Sequence, residues 1–190
     1  MTLLVLGLAI FLGIHSVSIF AWQWRDAQVA QRGEKAWKGL YTMVSLAGFV
    51  LIVYGYGLAR QAPVVVYTPP TWTRHLALLL MLPVFPLLVA SSFPGRIKSA
   101  AKHPMLLATK LWAMAHLLAN GNAADVLLFG GFLAWAVADR ISLKRRPARA
   151  VPGAPAGPAN DAIVVVVGLV MYAVFLLWVH VWLIGVKPLG

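Results

Sequence analysis

Residues Ala162–Val186 contain no aspartate, glutamate, lysine or arginine, and valine recurs through them. About 20 mostly apolar residues in a helix are enough to cross the hydrocarbon layer of a bilayer. Five more stretches have this character: Thr2–Trp22, Leu40–Ala59, His75–Ser92, Pro104–Ala119 and Ala123–Ala138. The composition excludes the alternatives. The 190 residues are 61% hydrophobic and 11% charged, whereas a soluble domain carries about 25% charged residues. Too little polar surface remains to cover a water-facing globule, and a disordered chain would hold far less apolar mass. The predicted class is all-α: a polytopic membrane helical bundle of about six transmembrane helices over residues 1–190. Spans four and five are short, and a shallow hairpin is their alternative form.

Local chemistry punctuates the same map. Pro104 suits the first position of a helix, where its missing N–H costs little. Asn122 followed three residues later by Asp125 has the form of a capping box opening span five. Asp161 stands where span six needs an N-cap. Span one has no basic leader and no small-residue cleavage site before Trp22–Gln23–Trp24–Arg25, so it reads as a retained span and not a signal peptide.

Basic residues orient the bundle. Arg25, Arg32, Lys35 and Lys38 follow span one; Arg96, Lys98, Lys102 and Lys110 follow span three; Arg140, Lys144, Arg145, Arg146 and Arg149 follow span five. The other face has Arg60, Arg74 and Lys187. Loops rich in lysine and arginine stay cytoplasmic, so both termini are expected outside. The net charge of +11 then reflects topology, and no nucleic-acid partner is expected. The basic, Pro/Gly/Ala-rich stretch within about 140–161 reads as a flexible cytoplasmic linker, with contact to anionic lipid as its functional alternative.

The absence of cysteine removes disulfides, iron–sulfur clusters and thiolate ligation. There is no HExxH run, Walker loop or nucleophile elbow. An ionisable group inside the membrane is costly and marks a candidate site. Here the candidates are histidines. His75 and His103 lie at span edges, where a wet interfacial imidazole is the ordinary reading, and His180 lies in the outer part of span six. His15 and His116 sit among apolar turns. A core histidine satisfied by its neighbours is one account of them; a pair of metal or haem ligands on facing helices is the sharper one. His116 with His180 is the rival pair. Lys110 shares a helix face with His103, two turns earlier. It either snorkels to the headgroups or neutralises a buried anion such as a haem propionate. Asn120 follows His116 by four residues and either orients that imidazole or closes the helix end.

Several motifs resemble those of NnrU-family membrane proteins. They are Gly13–Ile14–His15–Ser16, Gly33–Glu34–Lys35–Ala36–Trp37–Lys38–Gly39–Leu40–Tyr41, Tyr54–Gly55–Tyr56–Gly57–Leu58–Ala59–Arg60 and Pro94–Gly95–Arg96–Ile97–Lys98. The most specific is Lys102–His103–Pro104–Met105–Leu106, continued by Lys110–Leu111–Trp112–Ala113–Met114–Ala115–His116–Leu117–Leu118–Ala119–Asn120–Gly121. The resemblance implies a multi-pass bacterial inner-membrane protein tied to denitrification, through nitrite and nitric oxide reductase production. Its partners would be the lipid bilayer, a lipophilic small molecule or nitric oxide, and a second copy of the chain.

The same region is similar to plant zeta-carotene isomerase, a haem b membrane enzyme. By that resemblance its haem histidines fall on His15 and His116, and a further histidine on His103. Ala113 stands where the isomerase has a cysteine, so thiolate ligand switching is excluded and isomerisation is not simply inherited. A fainter likeness is to membrane methyltransferases that hold S-adenosylmethionine with a basic residue–His–Pro motif, as in Lys102–His103–Pro104. Those enzymes also use a late glutamate pair, and the only glutamate here is Glu34.

Overall fold

The computed structural model describes residues 1–149 and 151–189. The described residues are helical, apart from turns, loops and one isolated antiparallel bridge between Val65 and Asn122. Four helical segments are long and apolar enough to cross a membrane: Thr2–Phe20, Glu34–Ala59, Thr73–Ala90 and Asn160–Ile184. Pro104–Ala119 is apolar but shorter. The chain divides into two compact units, Met1–Pro70 with Ala119–Ala148, and Thr71–Leu118 with Arg149–Gly190.

The first unit is built on α1 (Thr2–Phe20), α2 (Trp22–Arg32), α3 (Glu34–Ala59) and α8 (Ala123–Ser142). Helices α1 and α3 run antiparallel, with Leu4 at Gly55, Gly7 at Leu51 and Ile52, and Phe11 at Gly48. Glycine makes this approach feasible. A Cβ on Gly7 would stand 2.6 Å from the Ile52 amide nitrogen, and one on Gly48 would stand 2.7 Å from that of Phe11. In lipid there is no hydrophobic drive between helices, so small residues that let backbones meet supply the attraction through dispersion. Helix α8 runs parallel to α1: Gly131 faces Leu12, Phe132 meets Phe11 and Trp135 meets His15. The expected capping box is present, with Asn122 and Asp125 in reciprocal bonds at the start of α8. The loop after α3 is laced to the turn before α8. Val66 and Tyr67 both donate their amides to the Gly121 carbonyl, and Ala123 donates to Val64. A side chain at Gly121 would collide with the Tyr67 carbonyl.

The second unit holds α4 (Thr73–Met81), α5 (Val84–Ala90), α6 (Arg96–Ala101), α7 (Pro104–Ala119), α9 (Asn160–Val174) and α10 (His180–Ile184). Span three is interrupted at Pro83, which removes a helical N–H and crowds the carbonyl four residues back. Span six contains a π-helical turn, Phe175–Val179. Val84, Leu87 and Ala108 form a buried cluster against Met81, Leu107, Leu111 and Trp112. Gly168 of α9 packs on Pro86, and the Tyr172 hydroxyl donates to the Leu78 carbonyl at 3.0 Å.

Three sequence expectations change here. Asp161 does not cap its own helix. It lies in the first turn of α9 and accepts from the amides of Arg96 and Ile97, so it caps α6. The stretch read as a flexible linker is tied down. Ala154 donates to the Ser92 carbonyl at 2.7 Å, and Asn160 Nδ2 donates to Pro94 and Pro155. Arg146, read as a loop charge, is nearly buried. It pairs with Asp139 at 2.7 Å and donates to the Ser18 carbonyl at the end of α1.

Candidate functional site

Helix α1 carries His15 on the stripe that faces α3 and α8. Its Nδ1 lies 2.7 Å from the Phe11 carbonyl, one turn earlier. A carbonyl only accepts, so Nδ1 carries the proton and Nε2 is the basic nitrogen. Three aromatic rings surround this half-buried imidazole. Phe11 stacks at 4.1 Å between centroids, Tyr41 of α3 is tilted at 5.1 Å, and Trp135 of α8 meets it edge-on at 5.8 Å. Tyr41, Ser45 and Phe49 recur on α3 every four residues, which places them along one face. Below this cluster, Arg146 ties α1 to the end of α8 through Ser18 and Asp139.

In the second unit, His116 repeats the arrangement. Its Nδ1 lies 2.8 Å from the Trp112 carbonyl, and the two rings are 5.3 Å apart. The imidazole is thus oriented by its own preceding turn. Asn120, read as orienting the imidazole or closing the helix end, accepts through its backbone carbonyl from the Tyr67 hydroxyl at 2.8 Å. His103 ends the break between α6 and α7. Lys102 before it has a positive φ of 59°, and the His103 carbonyl accepts the first helical bond of α7, from Leu107. Pro104 opens that helix, as expected. Lys110 is half-buried in the middle of α7, next to Leu111 of the core cluster. His75 is exposed at the start of α4. His180 follows the π-helical turn, packs edge-on against Phe175 and directs Nδ1 at the Val186 carbonyl at 2.8 Å.

Among the described residues, no three His, Cys, Asp or Glu side chains gather as a metal-binding group. Three imidazoles, those of His15, His116 and His180, direct Nδ1 at a backbone carbonyl. Sequence reasoning did not place Tyr41, Ser45 or Trp135 in a site. The available signal was the four-residue recurrence of Tyr41, Ser45 and Phe49 in a span that also holds Gly48.

A second polar cluster lies at the opposite end of the first unit. The Tyr56 hydroxyl donates to Asp125 Oδ1 at 2.5 Å, the Asn122 amide donates to Oδ2, and the Arg60 guanidinium lies over the Tyr56 ring. Arg60, Asn122 and Asp125 border a cleft of about 240 Å³, also lined by Pro63, Val64 and Ala124. Outside the spans, burial raises the Tyr67 phenol above its ordinary pKa, with the Asp125 charge adding to the effect.

Apolar helices of spanning length, with imidazoles fixed inside them, define a helical membrane protein. The family comparison is specific: NnrU protein matches residues 3–188, and the chain belongs to the NnrU family. Comparison with curated proteins and with solved structures returns no match.

Proposed function

We propose that this NnrU-family chain is a six-span bacterial inner-membrane protein that binds haem b through the imidazoles of His15 and His116. It would support denitrification in a redox or maturation role. The observation behind this reading is the shared state of the two imidazoles. Each gives its Nδ1 proton to the carbonyl four residues earlier, which leaves Nε2 as the donor atom. Metal-ligating histidines are held in this way, because the second hydrogen bond fixes the tautomer and raises ligand basicity. The donor set fits haem, which asks for axial imidazoles and not a three-ligand cage. Bound haem would supply one-electron chemistry. The protein's own part would be to hold the imidazoles, exclude water with aromatic rings, and place the Lys110 ammonium for a propionate, with His103 as the further histidine of the site. Action on a lipophilic substrate, as in a haem-dependent isomerase, remains the enzyme form of the same reading.

In the proposed topology both termini are outside and residues 31 and 152 are cytoplasmic. The alternating directions of α1, α3 and α8 support it within the first unit, as does the split of basic residues. The chain has no native cysteine, so a single cysteine at Gln31 or Pro152 can be labelled from either side. Cytoplasmic labelling is expected at both, and labelling from outside at Pro152 overturns the map. For the cofactor, purified protein should show a Soret band that shifts on reduction. Protein that is colourless after haem-supplemented expression overturns haem binding.

A further inference from the structure

Buried polar side-chain atoms almost always have a hydrogen-bond partner, and each exception calls for an explanation. Among the described residues, Ser45 Oγ, Trp135 Nε1 and Ser142 Oγ are buried without one. Two of these belong to the His15 surroundings. Trp135 is the indole that meets His15 edge-on. Ser45 is one turn from Tyr41, whose ring is 5.1 Å from His15. Ser45 Oγ lies beside the Tyr41 phenol but in no hydrogen-bonding geometry. Both atoms are donors, Nε1–H obligatorily so. His15 Nδ1–H is spent on Phe11. The site therefore offers aromatic faces, a basic imidazole nitrogen and two donors lacking acceptors, all inside an apolar unit.

We propose that Ser45 and Trp135 are the hydrogen-bond donors for an oxygen atom of a flat, apolar, membrane-soluble ligand held beside His15. Rings suit a planar conjugated body through stacking and edge contacts. Donors buried in apolar surroundings discriminate strongly for a ligand that carries the matching acceptor, because an unmatched donor keeps its full desolvation penalty. Two sources share this chemistry: haem, through a propionate oxygen, and an isoprenoid quinone, through a ring carbonyl. The first deepens the haem reading and rests on it; the second stands without it.

The test uses the full chain in phospholipid nanodiscs, titrated separately with hemin and with a short-chain benzoquinone. Wild type is compared with Ser45→Ala, Ser45→Thr, Trp135→Phe and Ser142→Ala. Ser45→Ala and Trp135→Phe should each weaken binding about fivefold, the effect of one lost hydrogen bond. Ser45→Thr keeps the hydroxyl and should restore affinity. Ser142→Ala removes the third buried atom, seven residues beyond Trp135, and should bind as wild type. Hemin binding with this pattern supports both readings. Quinone binding with this pattern, in a chain that does not take up hemin, supports the donors and overturns the haem. Hemin binding of equal strength in all five chains overturns the donors and leaves the haem reading standing. Wild type that binds neither ligand overturns both. Far-UV dichroism of each variant separates lost binding from lost folding. If Trp135→Phe fails to fold, Ser45→Ala against Ser45→Thr decides alone.

Discussion

The two units hold their helices together by different means. In the first, α1 and α3 meet backbone to backbone through Gly7, Gly48 and Gly55, and α8 adds an aromatic face. In the second, the helices are interrupted, at Pro83 and at the π-helical turn, and side chains bind the exposed ends. Thr73 donates to the Leu118 carbonyl, Asn160 to Pro94 and Pro155, and Tyr172 to Leu78. A broken helix leaves orphan carbonyls and amides in a setting where water is scarce. Those groups need partners from elsewhere in the chain. Continuous helices leave such groups only at their ends, as at Ser18, which Arg146 serves, and can devote their contact faces to close packing and to a site.

The contrast can be broken at single residues. Gly7→Leu should have the largest effect. Its new side chain meets backbone atoms of Leu51 and Ile52, which cannot yield as a side chain can. A loss of about 3 kcal/mol or more is expected, read by unfolding in mixed detergent micelles. Stability equal to wild type would show that α1 and α3 are not in this contact. Arg146→Met comes next. It leaves the buried Asp139 carboxylate without its partner, at about 3 kcal/mol. A change under about 0.5 kcal/mol would mean that the pair behaves as an exposed surface bridge.

In the second unit, Asn160→Ala removes both bonds made by Nδ2 and should cost about 2 kcal/mol. It should also speed proteolysis in the segment around Pro155. A variant with an unchanged cleavage pattern would deny that Asn160 anchors that segment. Gly13→Ala is the smallest change and has the opposite sign. Gly13 shares α1 with Gly7, yet a Cβ there would meet nothing within 4 Å. Helix propensity alone then applies, a gain of up to about 1 kcal/mol. Destabilisation at Gly13 would reveal a close neighbour on that face.

Much of this was readable in the chain. Apolar runs gave the helices, Pro104 gave the start of α7, and the Asn122–Asp125 spacing gave the capping box. What escaped depends on contacts distant in sequence. Nothing near Asp161 says that its carboxylate will cap α6, more than sixty residues earlier. Arg146 looks like its basic neighbours until Asp139 and Ser18 are brought to it by the packing of α8 on α1. His15 and His116 stood out because an imidazole in an apolar run is conspicuous. Tyr41 and Ser45 did not, since aromatic and hydroxyl residues are unremarkable in a membrane helix. Their meaning arises only when α1, α3 and α8 are assembled.

The most direct test of the central claim is the absorbance spectrum of His15→Gly, with and without added imidazole. The claim is that His15 is an imidazole donor to haem. If so, the wild-type Soret band is lost or strongly shifted in the variant, and millimolar imidazole restores it by filling the space left by the side chain. A variant whose spectrum matches wild type without imidazole would contradict the claim and pass the role to another histidine, with His180 the first to examine.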